Sequence, residues 1–260
     1  MPVSKGTITS NDGSVVNYQT EGTGIPMLLC SGQGTSLQWW DSLAPELSRD
    51  FMVVRFDYLG TGSSIASPEA VFSTRRFAAD AASILDALGL ASAHVFGTSM
   101  GGKVAQWLAL EHPERVDRLV LGCTTTGGPR APRMAPHVTK QFMLPGVPGI
   151  HSRLKLMYTE DFLAGSTPNL SLATGPSDRQ AIRGHRLASV EHDTSKMASA
   201  IKQPTLILHG TADEVVPAEN CEILAQAIPN STAHVFHGLR HGFFDEEAMA
   251  TAEQLRQFLG

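Results

Sequence analysis

No run of 18 apolar residues occurs in this 260-residue chain, and its start, Met1-Pro-Val-Ser-Lys-Gly-Thr, has no apolar stretch with a cleavage site behind it. The pattern of a spanning helix or of a secretory leader is therefore missing, and the expectation is a cytoplasmic protein with no membrane partner. Cysteine is scarce and odd in number: Cys30, Cys123 and Cys221. Two end apolar, strand-like runs and the third sits in a helical pattern, which suits buried reduced thiols better than a disulfide framework. None has the helix-opening turn or basic neighbour that would lower its pKa for catalysis. An excess of positive charge is missing as well. With 20 Lys and Arg against 25 Asp and Glu, the net charge of −5 gives no electrostatic footprint for nucleic acid. What is present is 42% hydrophobic and 17% charged residues, the composition of a folded globular chain. A chain of this size buries roughly 70–75% of its unfolded surface, so it needs no staples.

The first segments read as β. Thr7 to Ser10 and Val15 to Thr20 flank Asn11-Asp12-Gly13, a hairpin signal. Pro26 to Cys30 and Phe51 to Phe56 are short, nearly continuous apolar runs on either side of a helix-like Leu37 to Leu47. Such runs belong to strands buried on both faces of a parallel sheet. The alternation continues with helical spacing from Thr74 to Leu88, the run Arg118 to Cys123, and Thr205 to His209 before a helix from Ala218 to Ile228. Ala233 to Phe236 and a helix from Glu246 to Leu259 end it, giving a doubly wound, mostly parallel α/β sheet. Between residues 125 and 203 the alternation stops. The breaker-rich stretches Thr124 to Pro132 and Leu144 to Gly149 enclose helix-like Arg153 to Phe162 and Ser177 to Ala200. The expectation is a core of residues 1–124 and 204–260 with residues 125–203 as a helical cap over the strands' carboxyl ends, where open α/β sheets bind ligands.

The chemistry is concentrated at His94-Val-Phe-Gly-Thr-Ser-Met-Gly-Gly-Lys103. A short apolar run reaches Gly97, Ser99 stands in Gly-x-Ser-x-Gly, and a helical pattern follows: strand, sharp turn, helix. Such a turn strains the serine backbone and lifts its hydroxyl above the sheet as a nucleophile. A serine nucleophile needs a histidine to take its proton and a carboxylate to orient that histidine. Asp213 follows the run Thr205 to His209, and His241 follows Ala233 to Phe236, each in a loop after a strand. The chain order Ser, Asp, His is the one associated with this elbow. Glu214, beside Asp213, is the competing carboxylate. His234, His237 and His241 invite a metal reading, but their spacing crosses a strand end, and neither an HExxH helix nor a cysteine cluster completes four ligands. No metal and no cofactor are expected.

Taken together, Gly-Thr-Ser-Met-Gly-Gly, Gly210-Thr-Ala-Asp-Glu-Val-Val-Pro217 and Arg240-His-Gly-Phe-Phe244 resemble the α/β-hydrolase fold superfamily from about Gly13 to the C-terminus. Within it, the elbow, Trp39-Trp40-Asp-Ser-Leu43 and Glu111 to Leu121 are most similar to small capped esterases and 3-oxoadipate enol-lactonase-like hydrolases. Arg55-Phe-Asp-Tyr-Leu-Gly-Thr-Gly-Ser-Ser64 resembles a loop that is mainly structural there. The resemblance implies Ser99, Asp213 and His241 as catalytic residues, with the backbone N–H groups of Gln33 and Met100 as the oxyanion hole. One motif departs: where the superfamily commonly has His-Gly, this chain has Ser31-Gly32, which takes away a side-chain support of that loop and leaves its donors. Gly32, Trp40, Phe142 and Arg186 are candidates for substrate contact, among a wider set of Trp39, Met143, Met157 and Phe162 and of Arg130, Arg133 and Arg183. The expected partner is a small-molecule ester or lactone, cleaved through an acyl-enzyme. Hydrolysis of a C–C bond or cofactor-free perhydrolysis by the same triad, and a ligand receptor on this scaffold, remain alternatives.

Overall fold

Asn11 to Gly13 turn the chain back on itself, with Gly13 at φ 81°, and join β1 (Ser4–Thr9) to β2 (Val15–Glu21) as an antiparallel hairpin. The computed structural model describes residues 3–176 and 178–260. From β3 (Ile25–Cys30) the direction is uniform. β3, β4 (Phe51–Phe56), β5 (Ala93–Thr98), β6 (Val116–Gly122), β7 (Thr205–Gly210) and β8 (Ser231–Phe236) are mutually parallel. The eight strands lie in the order β1-β2-β4-β3-β5-β6-β7-β8. β5 and β7 are buried at every residue, as continuous apolar runs require when both faces of a sheet are covered.

Helices supply the two covers. α1 (Ala44–Leu47), α2 (Thr74–Ala87) and α3 (Met100–Glu111) follow β3, β4 and β5. Between β6 and β7 come α4 (Pro136–Phe142), α5 (Gly146–Met157), α6 (Glu160–Gly165) and α7 (Arg179–Val190). α8 (Glu219–Ala227) follows β7, and α9 (Phe243–Glu246) and α10 (Ala248–Leu259) close the chain. Phe77, Leu85, Val104 and Leu224, from α2, α3 and α8, pack with Leu28, Val95 and Leu121 on one face. Trp40, Leu47, Phe244 and Leu255 pack with Leu29, Phe96 and Leu208 on the other. The result is an α/β-hydrolase fold, and among the described residues no helix is long and apolar enough to cross a membrane.

Several boundaries differ from the sequence reading. Leu37 to Leu47 is a single turn over Leu37–Trp40 followed by α1, divided ahead of Pro45, which is tolerated in a first helical turn and not inside a helix. The helix expected over 153–162 is two, because Thr159 caps α6 and its N–H and hydroxyl both donate to the carboxylate of Glu246, in a distant part of the chain. The segment 177–200 is helical only as α7 and a turn at Ala198–Ala200; Ser177 lies outside the described residues. α4 forms between the two breaker-rich stretches, with Pro136 at its first turn, where no N–H is needed, and α5 begins inside the second of them at Gly146. The Arg55 to Ser64 loop is structural, as the resemblance implied. Asp57 accepts from Leu37 N–H (2.7 Å), Ser63 N–H (2.9 Å) and Asn17 Nδ2 (2.9 Å).

Candidate active site

Ser99 sits between β5 and α3 at φ 56°, ψ −121°, a left-handed conformation that a side chain rarely adopts and that stores strain. Its N–H donates to Gly122 O (2.9 Å), and Thr124 Oγ1 donates to Ser99 O (2.7 Å), so the end of β6 holds the elbow from both sides. A Cβ on Gly101 would stand 1.9 Å from the Cys30 carbonyl oxygen. Only glycine lets α3 begin so close to the sheet.

Asp213 lies in the turn after β7 and His241 in the loop after β8, both buried. His241 Nδ1 and Asp213 Oδ2 are 2.7 Å apart. Asp213 Oδ1 accepts from the N–H groups of Val215 (2.8 Å) and Val216 (2.9 Å), which fix the carboxylate plane. Burial alone would raise this carboxyl, but the charge of His241 and hydrogen bonds from His209 and His241 outweigh it and hold the pKa at about 2. His209, which reads in the sequence only as a strand end, thus belongs to the same group: its Nε2 is 3.4 Å from Asp213 Oδ2 and 2.9 Å from Val216 O. Glu214, the competing carboxylate, points elsewhere and meets Arg240 (3.4 Å). Ser99 and His241 line one cavity of about 490 Å³. Among the described residues Ser99 Oγ makes no hydrogen bond, and the cavity leaves it open to a ligand.

Gln33 lines the same cavity, and among the described residues no acceptor takes its N–H or that of Met100. The Ser31-Gly32 loop has other support in place of a histidine. Tyr58 Oη donates to Ser31 O (3.2 Å) and Thr35 Oγ1 to Gly32 O (3.0 Å).

The remaining candidates divide. Phe142 and Arg186 line both the 490 Å³ cavity and a second one of about 310 Å³ that also reaches Ser99. Met143 lines both, and Met157 the first. Trp40 does not line either; it is fully buried against Phe96 and Phe244, and Trp39 is the wall, its Nε1 donating to Thr98 Oγ1 (2.8 Å). Adjacent residues on a tight turn point to different sides, which sequence spacing cannot phase. Gly32 lies under the Trp39 ring, 2.6 Å from it at a built Cβ, and does not line the cavities. Phe162 stacks on Tyr158 (4.8 Å) away from both. Arg133 lines the second cavity, Arg183 a separate surface hollow, and Arg130 none of these.

His234 and His237 do not join His241. Cys123 does: its Sγ, Asp213 and His241 bring ligand atoms within 4.8 Å of one another. Burial and the Asp213 charge hold this thiol well above its ordinary range, so it stays protonated and is a poor metal ligand. Lys103, which reads in the sequence as an ordinary helix residue, lines the second cavity.

The family model described as alpha/beta hydrolase fold matches residues 25–168 and 152–248. A 2-hydroxymuconate semialdehyde hydrolase of Pseudomonas putida is 32% identical over 264 residues, covering 95% of this chain and 91% of that one. A protein of Pseudomonas syringae pv. syringae named "Putative carbamate hydrolase RutD" is 29% identical over 243 residues, covering 90% and 93%. The solved enol-lactonase of Burkholderia xenovorans LB400 superimposes with a TM-score of 0.81 at 25% identity, covering 98% and 99%. This chain belongs to the alpha/beta hydrolase family, as its fold and these matches show.

Proposed function

We propose that the protein is a cofactor-free serine hydrolase that cleaves a carboxylic ester or lactone through an acyl-enzyme. The observation that carries this is the buried 2.7 Å pair of His241 Nδ1 and Asp213 Oδ2 facing the cavity of a serine held at positive φ. Asp213, ionised throughout the neutral range, keeps the proton of His241 on Nδ1 and leaves Nε2 free as the base. Ser99 Oγ adds to the carbonyl carbon as its proton passes to Nε2, and the N–H groups of Gln33 and Met100 take the charge that develops on oxygen. The imidazolium returns the proton to the leaving alcohol, and a water activated by the same nitrogen releases the acid.

Ser99→Ala is expected to lower kcat for a nitrophenyl ester by about 10⁴–10⁶-fold with the fold intact by circular dichroism. Near-native turnover by that variant would contradict the proposal. The likeness to a 2-hydroxymuconate semialdehyde hydrolase supports a second reading, in which the same groups cleave a C–C bond next to a carbonyl. A panel of a short ester, a lactone and a vinylogous diketone acid separates the two by kcat/KM.

A further inference from the structure

Lys103 follows Ser99 by one turn of α3, about 6 Å along the helix axis, and both side chains line the 310 Å³ cavity. Its Nζ donates to the backbone oxygen and to Oγ of Ser189, each at 2.9 Å. An ammonium carries three donors, and two are taken by neutral oxygens. The exposed Arg133 and Arg186 line the same cavity, and its lining contains neither Asp nor Glu. His192 adds no further positive charge: burial, then the charge of Lys103, lower its pKa to about 3. A cation only partly open to water and held by neutral oxygens alone is unfavourably placed, and a ligand anion offsets that.

We infer that this second cavity is a carboxylate subsite anchored by Lys103, so that the natural substrate carries a carboxylate on the arm that enters it. The one N–H left on Lys103 Nζ suits a single carboxylate oxygen. The cavity holds only a short arm, which puts the anion a few bonds from the scissile carbonyl. Burial and the neighbouring Arg133 pull the ammonium down to about 8, so it is charged at neutral pH and loses its charge above. The side chains facing it are Ser189 of α7, Arg133 before α4, Arg186 and His192, none of them an acid; the nearby Asp193 bears on His192 rather than on the Lys103 ammonium.

This inference rests on Ser99 as the nucleophile, which fluorophosphonate labelling of the same preparation checks separately. The test compares kcat/KM for matched pairs with the carboxylate once on the acyl side, mono-p-nitrophenyl glutarate against p-nitrophenyl pentanoate, and once on the alcohol side, 4-acetoxybutanoate against butyl acetate. The wild type is expected to prefer the anionic member of one pair. In Lys103→Met the anionic-to-neutral ratio for that pair should fall about 10- to 100-fold, the worth of one hydrogen bond to an ionised group. In the wild type the ratio should also decline as pH rises through about 8, with any ionisation that both members of the pair share dividing out of it. Should the variant not fold, the wild-type pH series decides. Ratios unchanged by the substitution, or flat through that pH range, would overturn the subsite while leaving the hydrolase reading standing. Absent labelling and absent ester turnover would remove the hydrolase reading and this one with it.

Discussion

Asp213 shows how much of one residue's role depends on its neighbours. Its position after a strand is legible in the sequence, because Gly210-Thr-Ala-Asp follows an apolar run and precedes a helical pattern. Its four bonding partners are not legible, since they come from Val215, Val216, His209 and His241 through the fold. Asp213→Asn keeps the shape and removes the charge, so His241 loses the partner that fixes its tautomer. A fall in kcat of about 10⁴ with KM little changed is expected, and steady-state kinetics on a neutral ester measure it. A loss of less than tenfold would show that another acid serves His241. Trp39 and Trp40 give the opposite lesson. Both were legible as large apolar residues near the site, and only packing decides that Trp39 faces the cavity while Trp40 fills the core.

At the scale of elements, the inner strands such as β3, β4 and β7 are legible as short apolar runs, and β1 and β2 through the Asn11-Asp12-Gly13 turn between them. Helix ends in 125–203 are less so, because contacts such as Thr159 with Glu246 set them from a distance. α7 is docked by His185, whose ring stacks on Phe77 (5.2 Å) with Nε2 2.9 Å from Leu59 O. Burial lowers the pKa of His185 to about 4, partly opposed by that backbone contact, and of His192, just beyond the helix, to about 3. An unfolded histidine takes up its proton near pH 6.5, so between there and about pH 4 the unfolded chain binds more protons than the folded one. Stability therefore declines as pH falls through this window, by about 1–3 kcal/mol for each histidine. Urea midpoints at pH 7 and pH 4.5 measure this, and His185→Gln should show a shallower drop between them than the wild type. Equal drops would place the acid sensitivity elsewhere. Phe142, at the end of α4, lines both cavities, so Phe142→Ala should change the preference between a short and a long ester by roughly 1–3 kcal/mol in kcat/KM. An equal, large loss on both esters in a folded variant would assign it to the chemistry instead.

Across the whole molecule the division of labour follows the order of the chain. Ser99, Asp213 and His241 stand on loops after parallel strands, and residues between β6 and β7 such as Phe142, Ile150, Met157 and Arg186 supply much of the cavity wall. We propose on this ground that residues 125–203 act as a cap that sets which substrates enter. The run of helices between β6 and β7 is legible as a break in the strand and helix alternation. Its lining is not, because helical spacing says which residues share a face and does not say what the face meets. The role of Lys103 is not legible for the same reason: only the fold brings Ser189 to it and sets the arginines in the same cavity. Metal chelation belongs to this scale too. With the Cys123 thiol held protonated and His241 Nδ1 engaged by Asp213, turnover in EDTA should equal turnover without it. Activity lost in EDTA and restored by a divalent metal would point to the Cys123, Asp213 and His241 trio as a metal site.

The account stands on Ser99 being the group that attacks, and covalent labelling measures that most directly. Wild-type protein treated with a fluorophosphonate should gain one adduct by intact mass, mapped to the peptide that contains Ser99, and should lose ester turnover in step with labelling. Ser99→Ala should gain none. An adduct on another residue, or turnover that persists in fully labelled protein, would contradict the account.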